Sequence, residues 1–185
     1  MDPKNKWNKK YSERINEQVD PKPNPRLMNL SPYLTGGLAL DLACGLGGNS
    51  LFLAGLNYQV QAIDISEVAI NFLQEQAKNQ NLEIIPRVAD LTKDKFLENK
   101  PSFFDLVVIS YYLERSLFPC VKKCIKRNGY FFMETYYLSP QTENKGISNQ
   151  YKLQEHELLA EFKDWHVLFF EENEQEGRQT IFCQK

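Results

Sequence analysis

The chain has 185 residues, of which 42% are hydrophobic, 25% charged and 12% aromatic, with a formal net charge of −2 and a sequence pI near 5.8. That is the size and make-up of one globular domain that needs neither disulfide nor metal to hold a core. No apolar run is long enough to span a bilayer, no apolar segment follows the N-terminal lysines as in a signal peptide, and the charge gives no global attraction for nucleic acid. A cytoplasmic protein without membrane or nucleic-acid partner is therefore expected. No exposed heptad or apolar stripe announces an oligomer.

Residues 4 to 19 place Trp7, Tyr11, Ile15 and Val19 four apart among Lys, Glu and Arg, the pattern of an amphipathic helix lying on an apolar surface as a lid or flank. Residues 1 to 26 hold seven Lys or Arg against four Asp or Glu, which reads as the solvated face of that helix. The run from Asp20 to Pro25 cannot continue it, because prolines lack N–H groups and push the residues before them to extended conformations. A second helix from Arg26 to Leu34, started by Pro25, precedes Gly36 and Gly37.

From Leu38 to Ala54 the chain reads as strand, glycine turn and helix, passing Asp41, Gly45, Gly47 and Gly48. Glycines there let the backbone fold sharply and let a ligand approach the unpaired N–H groups of the helix, as for a nucleotide-like cofactor. Equally, such a turn can serve strand-to-helix packing alone. A strand from Tyr58 to Ile63 ends at Asp64, and Ser66 caps a helix to about Gln80 with Val68, Phe72, Leu73 and Ala77 as its apolar stripe. Glu83 to Val88 is a third strand, ending at Ala89-Asp90-Leu91, and the apolar Asp105 to Ile109 is a fourth. A helix from Leu117 to Arg127 and a fifth strand from Tyr130 to Thr135 complete the alternation, which argues for a parallel sheet with right-handed crossovers.

The last third breaks that rhythm. A polar loop from Ser139 to Gln150 and a helix from Gln154 to Phe162 lead to strands Trp165 to Phe170 and Thr180 to Gln184, separated by a connection so short that it implies an antiparallel hairpin. The expected fold is thus α/β: a doubly wound, mostly parallel seven-stranded sheet with a C-terminal antiparallel hairpin and a helical N-terminal extension. Residues 1–35 read as a helical lid and linker and residues 36–185 as a single domain.

The four cysteines, Cys44, Cys120, Cys124 and Cys183, form no metal-ligand spacing with each other or with His156 and His166, so no metal site is expected. Cys120 and Cys124 share a helix face as small core residues, Cys44 lies inside the glycine turn, and the two histidines read as structural.

Three acids, Asp41, Asp64 and Asp90, fall at strand ends, where open parallel sheets bind ligands. With the turn Asp41-Leu42-Ala43-Cys44-Gly45-Leu46-Gly47 they carry a resemblance, over nearly the whole chain, to the class I S-adenosylmethionine-dependent methyltransferases of Rossmann-like fold. The segments ALDLACGLGGNSLFLA, YYLERSLFP and YKLQEHELLAEF resemble small methyltransferases of the tellurite-resistance and thiopurine type. The resemblance implies S-adenosylmethionine as cofactor and S-adenosylhomocysteine as product. It implies that Gly45 and Gly47 line the methionine part with Asp41 near its ammonium, that Asp64 holds both ribose hydroxyls, and that Asp90 and Leu91 meet adenine. Ala43, Asn49, Ile65 and Ser110 fall beside these positions, and Trp7, Tyr11 and Arg14 close over them. Ala43 stands where the family usually has its first glycine.

The spacing of Gly45, Gly47, Ser50 and Asp64 also approaches a nicotinamide-dinucleotide fingerprint, against which stand Asp41, which repels a pyrophosphate, and the terminal hairpin. A protein that binds the cofactor without catalysis is a further alternative. Where amino-methylating branches of the family carry an N-P-P-Y-like motif, this chain has Ser110-Tyr111-Tyr112-Leu113, which argues against DNA adenine or protein glutamine as acceptor. Methyl transfer from a sulfonium relies on positioning and needs a base only when the acceptor must lose a proton first. Tyr111, Tyr112 and Arg115 are the catalytic candidates, with Tyr136 and Tyr137 beside them, and the acceptor expected is a soft thiol or chalcogen oxyanion. Arg115 either forks onto an anionic acceptor or pairs with a surface carboxylate.

Overall fold

The computed structural model describes residues 2–141 and 146–185, so residues 142–145 of the expected polar loop lie outside the described residues. Its strands form a seven-stranded mixed sheet, and the chain divides into two compact units, residues 1–96 and 97–185.

In the first unit, helix α1 (Pro3–Asn16) and the short helix α2 (Pro25–Asn29) precede strand β1 (Gly37–Leu42), helix α3 (Gly48–Gly55), strand β2 (Tyr58–Asp64), helix α4 (Glu67–Asn79) and strand β3 (Ile84–Val88). The three strands pair in parallel, Asp41 lying opposite Ala62 and Asp64 opposite Val88. Ala39, Leu40, Leu42, Val60 and Ala62 are all fully buried, as strands covered on both faces must be. Asp2 caps α1, which stops at Asn16, so Val19 lies beyond the helix and is exposed. The expected helix from Arg26 to Leu34 is shorter, because Pro32 disfavours helical geometry at Ser31 and a 3-10 turn at Ser31–Tyr33 takes over. Ser66 caps α4, its Oγ accepting from the N–H of Ala69 (3.2 Å). The apolar surface of α4 divides in two. Ala69, Ile70, Leu73 and Ala77 are buried, whereas Val68 and Phe72 pack with Trp7, Tyr11 and Ile15 of α1.

The second unit contains strand β4 (Phe104–Ser110), helix α5 (Phe118–Cys124), strand β5 (Ile125–Tyr136), helix α6 (Glu157–Glu161) and strands β6 (His166–Asn173) and β7 (Arg178–Gln184). β4 and β5 are parallel, while β7 runs antiparallel to both β5 and β6. The helix expected from Leu117 to Arg127 ends at Cys124, because fully buried Ile125 pairs with Phe104 and the Lys126 ammonium meets the Asp105 carboxylate at 2.9 Å, drawing this stretch into β5. Likewise α6 starts three residues later than expected. Leu153 is held in a bridge to Tyr137, its N–H donating to the Tyr136 carbonyl (2.9 Å). Within β5 and β7, side chains alternate, so Glu134, Tyr136, Arg178 and Thr180 share one face.

Candidate functional site

The turn between β1 and α3 spends three of five residues in left-handed backbone: Ala43 at φ 55°, Gly45 at 56° and Gly47 at 86°. Ala43 adopts this conformation despite its Cβ, so the substitution for glycine retains the turn at a cost of roughly 1–2 kcal/mol. Gly47 caps α3 and has no room for a side chain, since a Cβ there would lie 2.3 Å from Leu73 Cδ1. At Gly45 a Cβ would lie 2.9 Å from the Tyr11 hydroxyl, so α1 delivers its aromatic side chain directly onto the turn.

Two carboxylates are built into this turn. Asp41 is 1% exposed and accepts from the Ser50 hydroxyl at 2.6 Å. Burial, opposed by that hydroxyl and reinforced by the Asp64 charge, pushes its pKa up to about 7. Asp64 joins the turn to the start of α4: its Oδ2 accepts from the Gly45 N–H (2.8 Å) and its Oδ1 from the Ser66 N–H (2.9 Å). Burial raises its pKa too, resisted by the Ser66, Gly45 and Ile65 amides. Each carboxylate oxygen has a second acceptor direction, so these bonds leave acceptor capacity for a diol.

Tyr11 is 8% exposed and stacks on Trp7 with centroids 5.5 Å apart. Burial, then the nearby Asp64 and Cys44, drives its phenol far above the ordinary range, while half-buried Arg14 works the other way. Burial similarly raises the Cys44 thiol. Asn8 fastens α1 to α4 by accepting from the Ser66 hydroxyl (2.7 Å), a tie the sequence reading missed, and Lys4 pairs with Glu67.

Two of the cofactor candidates are engaged elsewhere. Asn49 accepts from the Asn24 N–H (2.8 Å) and thereby anchors the linker to α3. Asp90 folds back on its own loop, accepting from the Thr92 N–H (3.0 Å) and hydroxyl (2.6 Å) with Lys93 at 3.2 Å. Chiefly the Thr92 hydroxyl holds its carboxyl below the usual range. Leu91 follows it, half-buried.

In the second unit, Tyr111 leaves β4 with φ 59°, an unusual conformation for so bulky a residue. Its N–H donates to the Glu134 carbonyl (2.8 Å) and its hydroxyl to Glu134 Oε1 (2.8 Å). Desolvation and the Glu134 charge push the phenol up to about 12, although the residue is 46% exposed. Glu134, 1% exposed, also accepts from the Thr180 hydroxyl (2.9 Å). The Arg178 guanidinium lies over both the Tyr111 and Tyr136 rings, 4.4 and 4.3 Å from their centroids, with Nη1 3.7 Å from Glu134, and the rings themselves meet with centroids 6.1 Å apart. Its Nε is buried without a hydrogen-bond partner.

The remaining acceptor candidates are placed as follows. Arg115 forks onto Glu157 (2.6 and 2.9 Å) and donates to the carbonyls of Gln150 (3.3 Å) and Lys152 (3.0 Å), so its guanidinium pairs with a carboxylate, the second of its two expected uses. Tyr137 is 2% exposed and lies on the face opposite Tyr136, which places it in the core. Tyr112 is half-buried beside Tyr111, and Ser110 pairs with Glu134 in the sheet. His156 stands 3.3 Å from Glu172. Sequence reading missed Glu134, whose signal was available as a lone acid in an apolar strand, and Arg178, which it left in the hairpin connection.

The family model for the tellurite resistance protein TehB matches residues 8–181. The probable S-adenosyl-L-methionine-dependent methyltransferase TehB of Haemophilus influenzae is 31% identical over 144 residues, 76% of this chain and 50% of the relative. Phosphoethanolamine N-methyltransferase 3 of Arabidopsis thaliana is 27% identical over 138 residues, 71% of this chain and 27% of that one. The chain thus spans half the length, or less, of these curated relatives. The crystal structure of TehB from Haemophilus influenzae superposes with a TM-score of 0.79 at 23% identity, covering 97% of this chain and 67% of the other, a likeness of fold.

Proposed function

We propose that this chain, which belongs to the TehB family of tellurite resistance proteins, transfers a methyl group from S-adenosylmethionine to a small-molecule acceptor. The observation that carries the reading is the glycine turn, in which a buried carboxylate is fixed by the backbone N–H groups of Gly45 and Ser66 beside a second, strained acid at Asp41. Such a cradle fits the cofactor's charges. Asp41, whose ionisation is unfavourable in the unliganded turn, would be relieved by an ammonium. Asp64 retains acceptor directions for two ribose hydroxyls. Gly45, Gly47 and Ala43 would line the methionine part, with Ile65 and Ser110 as flanking contacts. Asp90 and Leu91 would meet adenine once Asp90 exchanges its Thr92 and Lys93 partners. Bound there, the cofactor supplies an electrophilic methyl group on sulfur.

Tyr11, backed by Trp7 and Arg14, covers Gly45 and would exclude water from the turn. Residues 1–35 then act as lid and linker to a catalytic body of residues 36–185. On the acceptor side, Tyr111, Tyr112 and Arg178 would contact the nucleophile, and Arg115 would brace the chain at Gln150 and Lys152. With its phenol raised to about 12 and its one O–H donated to Glu134, Tyr111 stays protonated at neutral pH and does not act as a base. An acceptor that needs no base, such as a thiolate or a chalcogen oxyanion, suits that arrangement. We read the doubly wound sheet with its antiparallel C-terminal hairpin as the family's catalytic fold, and the protein as cytoplasmic. Parallel assay of tellurite, selenite, thiol, phenol and amine acceptors tests the reading, and turnover confined to phenols or amines contradicts it.

A further inference from the structure

The start of α6 and strand β6 bring an imidazole and two carboxylates together. One ligand atom from each of Glu155, His156 and Glu172 lies within 4.8 Å of the other two, and His156 Nε2 stands 3.3 Å from Glu172 Oε2. Glu172 pairs with Gln179 across β6 and β7, one residue out of step with Thr180 and its partner Glu134, so alternation turns it to the face opposite Glu134 and Arg178. The cluster is therefore separate from the acceptor-side residues.

Two features distinguish it from a chance meeting of surface acids. Glu172 is oriented from outside the cluster: its Oε1 accepts from the His156 N–H (2.6 Å) and from Nε2 of fully buried Gln179, which leaves Oε2 beside the imidazole. Gln179 is itself fixed, its Oε1 accepting from the Leu158 N–H (2.9 Å) and its Nε2 also donating to the Gln154 carbonyl (3.0 Å). Outer-shell donors of this kind orient the carboxylates that bind metal ions. The charge is also unbalanced. Neither Glu155 nor Glu172 pairs with a Lys or Arg among the described residues, and one imidazole offers at most a single positive charge against two carboxylates. A divalent cation closes that deficit.

The donor set selects the ion. Calcium and magnesium take oxygen ligands, whereas an imidazole with carboxylates suits first-row transition cations such as zinc. Zinc bonds of about 2.0–2.2 Å put tetrahedral ligand atoms roughly 3.4 Å apart. The separation between His156 and Glu172 already meets that spacing. We propose that Glu155, His156 and Glu172 bind one divalent transition-metal cation, with water in the remaining positions, and that the ion ties the start of α6 to β6. It is a structural tie on the face away from Glu134 and Arg178, and the inference stands independently of the methyl-transfer reading. Short-range sequence spacing does not reveal this site, because Glu172 lies sixteen residues beyond His156.

The test is calorimetric titration of the untagged, chelator-treated full chain with zinc chloride, and separately with cobalt, calcium and magnesium chlorides. It compares wild type with Glu155→Gln, Glu172→Gln and His156→Asn, the last chosen because Asn tolerates the left-handed backbone at this position (φ 55°). Wild type is expected to bind one zinc ion per chain, and each substitution to weaken that binding tenfold or more. Cobalt should bind at the same stoichiometry and show visible d–d absorption that His156→Asn loses, while calcium and magnesium should bind at least a hundredfold more weakly than zinc. Zinc should raise the melting temperature of wild type and leave that of His156→Asn unchanged. Because Glu155 is exposed and accepts no printed hydrogen bond, Glu155→Gln keeps the fold and the test intact even where Glu172→Gln disturbs the hairpin. No stoichiometric zinc binding by wild type, binding that is indifferent to Glu155→Gln and His156→Asn, or calcium binding as tight as zinc overturns the inference.

Discussion

Replacing Asp41 by Asn sets the stability of the glycine turn against its use. Asp41 is 1% exposed, and burial raises its carboxyl from 3.8 to about 7. Because the folded-state value lies above the unfolded one, the protonated folded form is favoured: this contribution to stability is complete below about pH 4 and is lost as pH rises through 7. A displacement of that size withholds about 4 kcal/mol from the folded state above neutrality. Asn keeps an oxygen for the Ser50 hydroxyl and carries no charge. Asp41→Asn should therefore be more stable than wild type by about 2–4 kcal/mol at pH 8, falling to about 1–2 kcal/mol at pH 5. Urea unfolding followed by circular dichroism between pH 5 and 8.5 measures the difference. Affinity for S-adenosylmethionine should fall at least tenfold in the same variant, since the ammonium loses its counter-charge. A variant less stable than wild type at pH 8, or a difference that does not vary with pH, would refute the reasoning.

Gly47→Ala should destabilise by about 2–5 kcal/mol, combining left-handed strain with displacement of buried Leu73. In a double-mutant cycle with Leu73→Ala the loss should be less than additive by about 1–3 kcal/mol, and strict additivity would show that the contact is not the cause. Ala43→Gly removes left-handed strain but adds unfolded-state entropy, so unfolding should shift by between zero and about 1 kcal/mol in the stabilising direction; a clear loss would mean that the Ala43 methyl packs usefully. Glu134→Gln turns an amide toward the Tyr111 or Thr180 hydroxyl in place of an acceptor, and should cost about 1–3 kcal/mol by urea unfolding. Its phenol titration, followed by ultraviolet absorbance, should begin at lower pH than in wild type, and an unshifted titration would detach Tyr111 from Glu134.

What could be read from the chain alone was local. The apolar runs, the cap at Ser66 and the glycines after Asp41 each act within a few residues, and the strands, the turn and α4 follow from them. The end of α5 could not be read, because Ile125 to Arg127 continue a helical spacing and only pairing with Phe104 and Asp105, some twenty residues away, draws them into β5. Asp90 stands at a strand end as expected, but its carboxylate accepts from the N–H and hydroxyl of Thr92 in its own loop, an orientation that periodicity does not carry. Arg178 was hidden because β7 starts two residues before the apolar run that marks it.

The central claim is that the turn around Asp41, Gly45 and Asp64 holds S-adenosylmethionine. Calorimetric titration with S-adenosylmethionine, S-adenosylhomocysteine and NAD, on wild type and Asp64→Ala, tests it directly. Micromolar binding of the first two, silence with NAD and loss of both in Asp64→Ala is the predicted result. Binding of NAD instead, or binding of S-adenosylmethionine that is indifferent to Asp64→Ala, would contradict it.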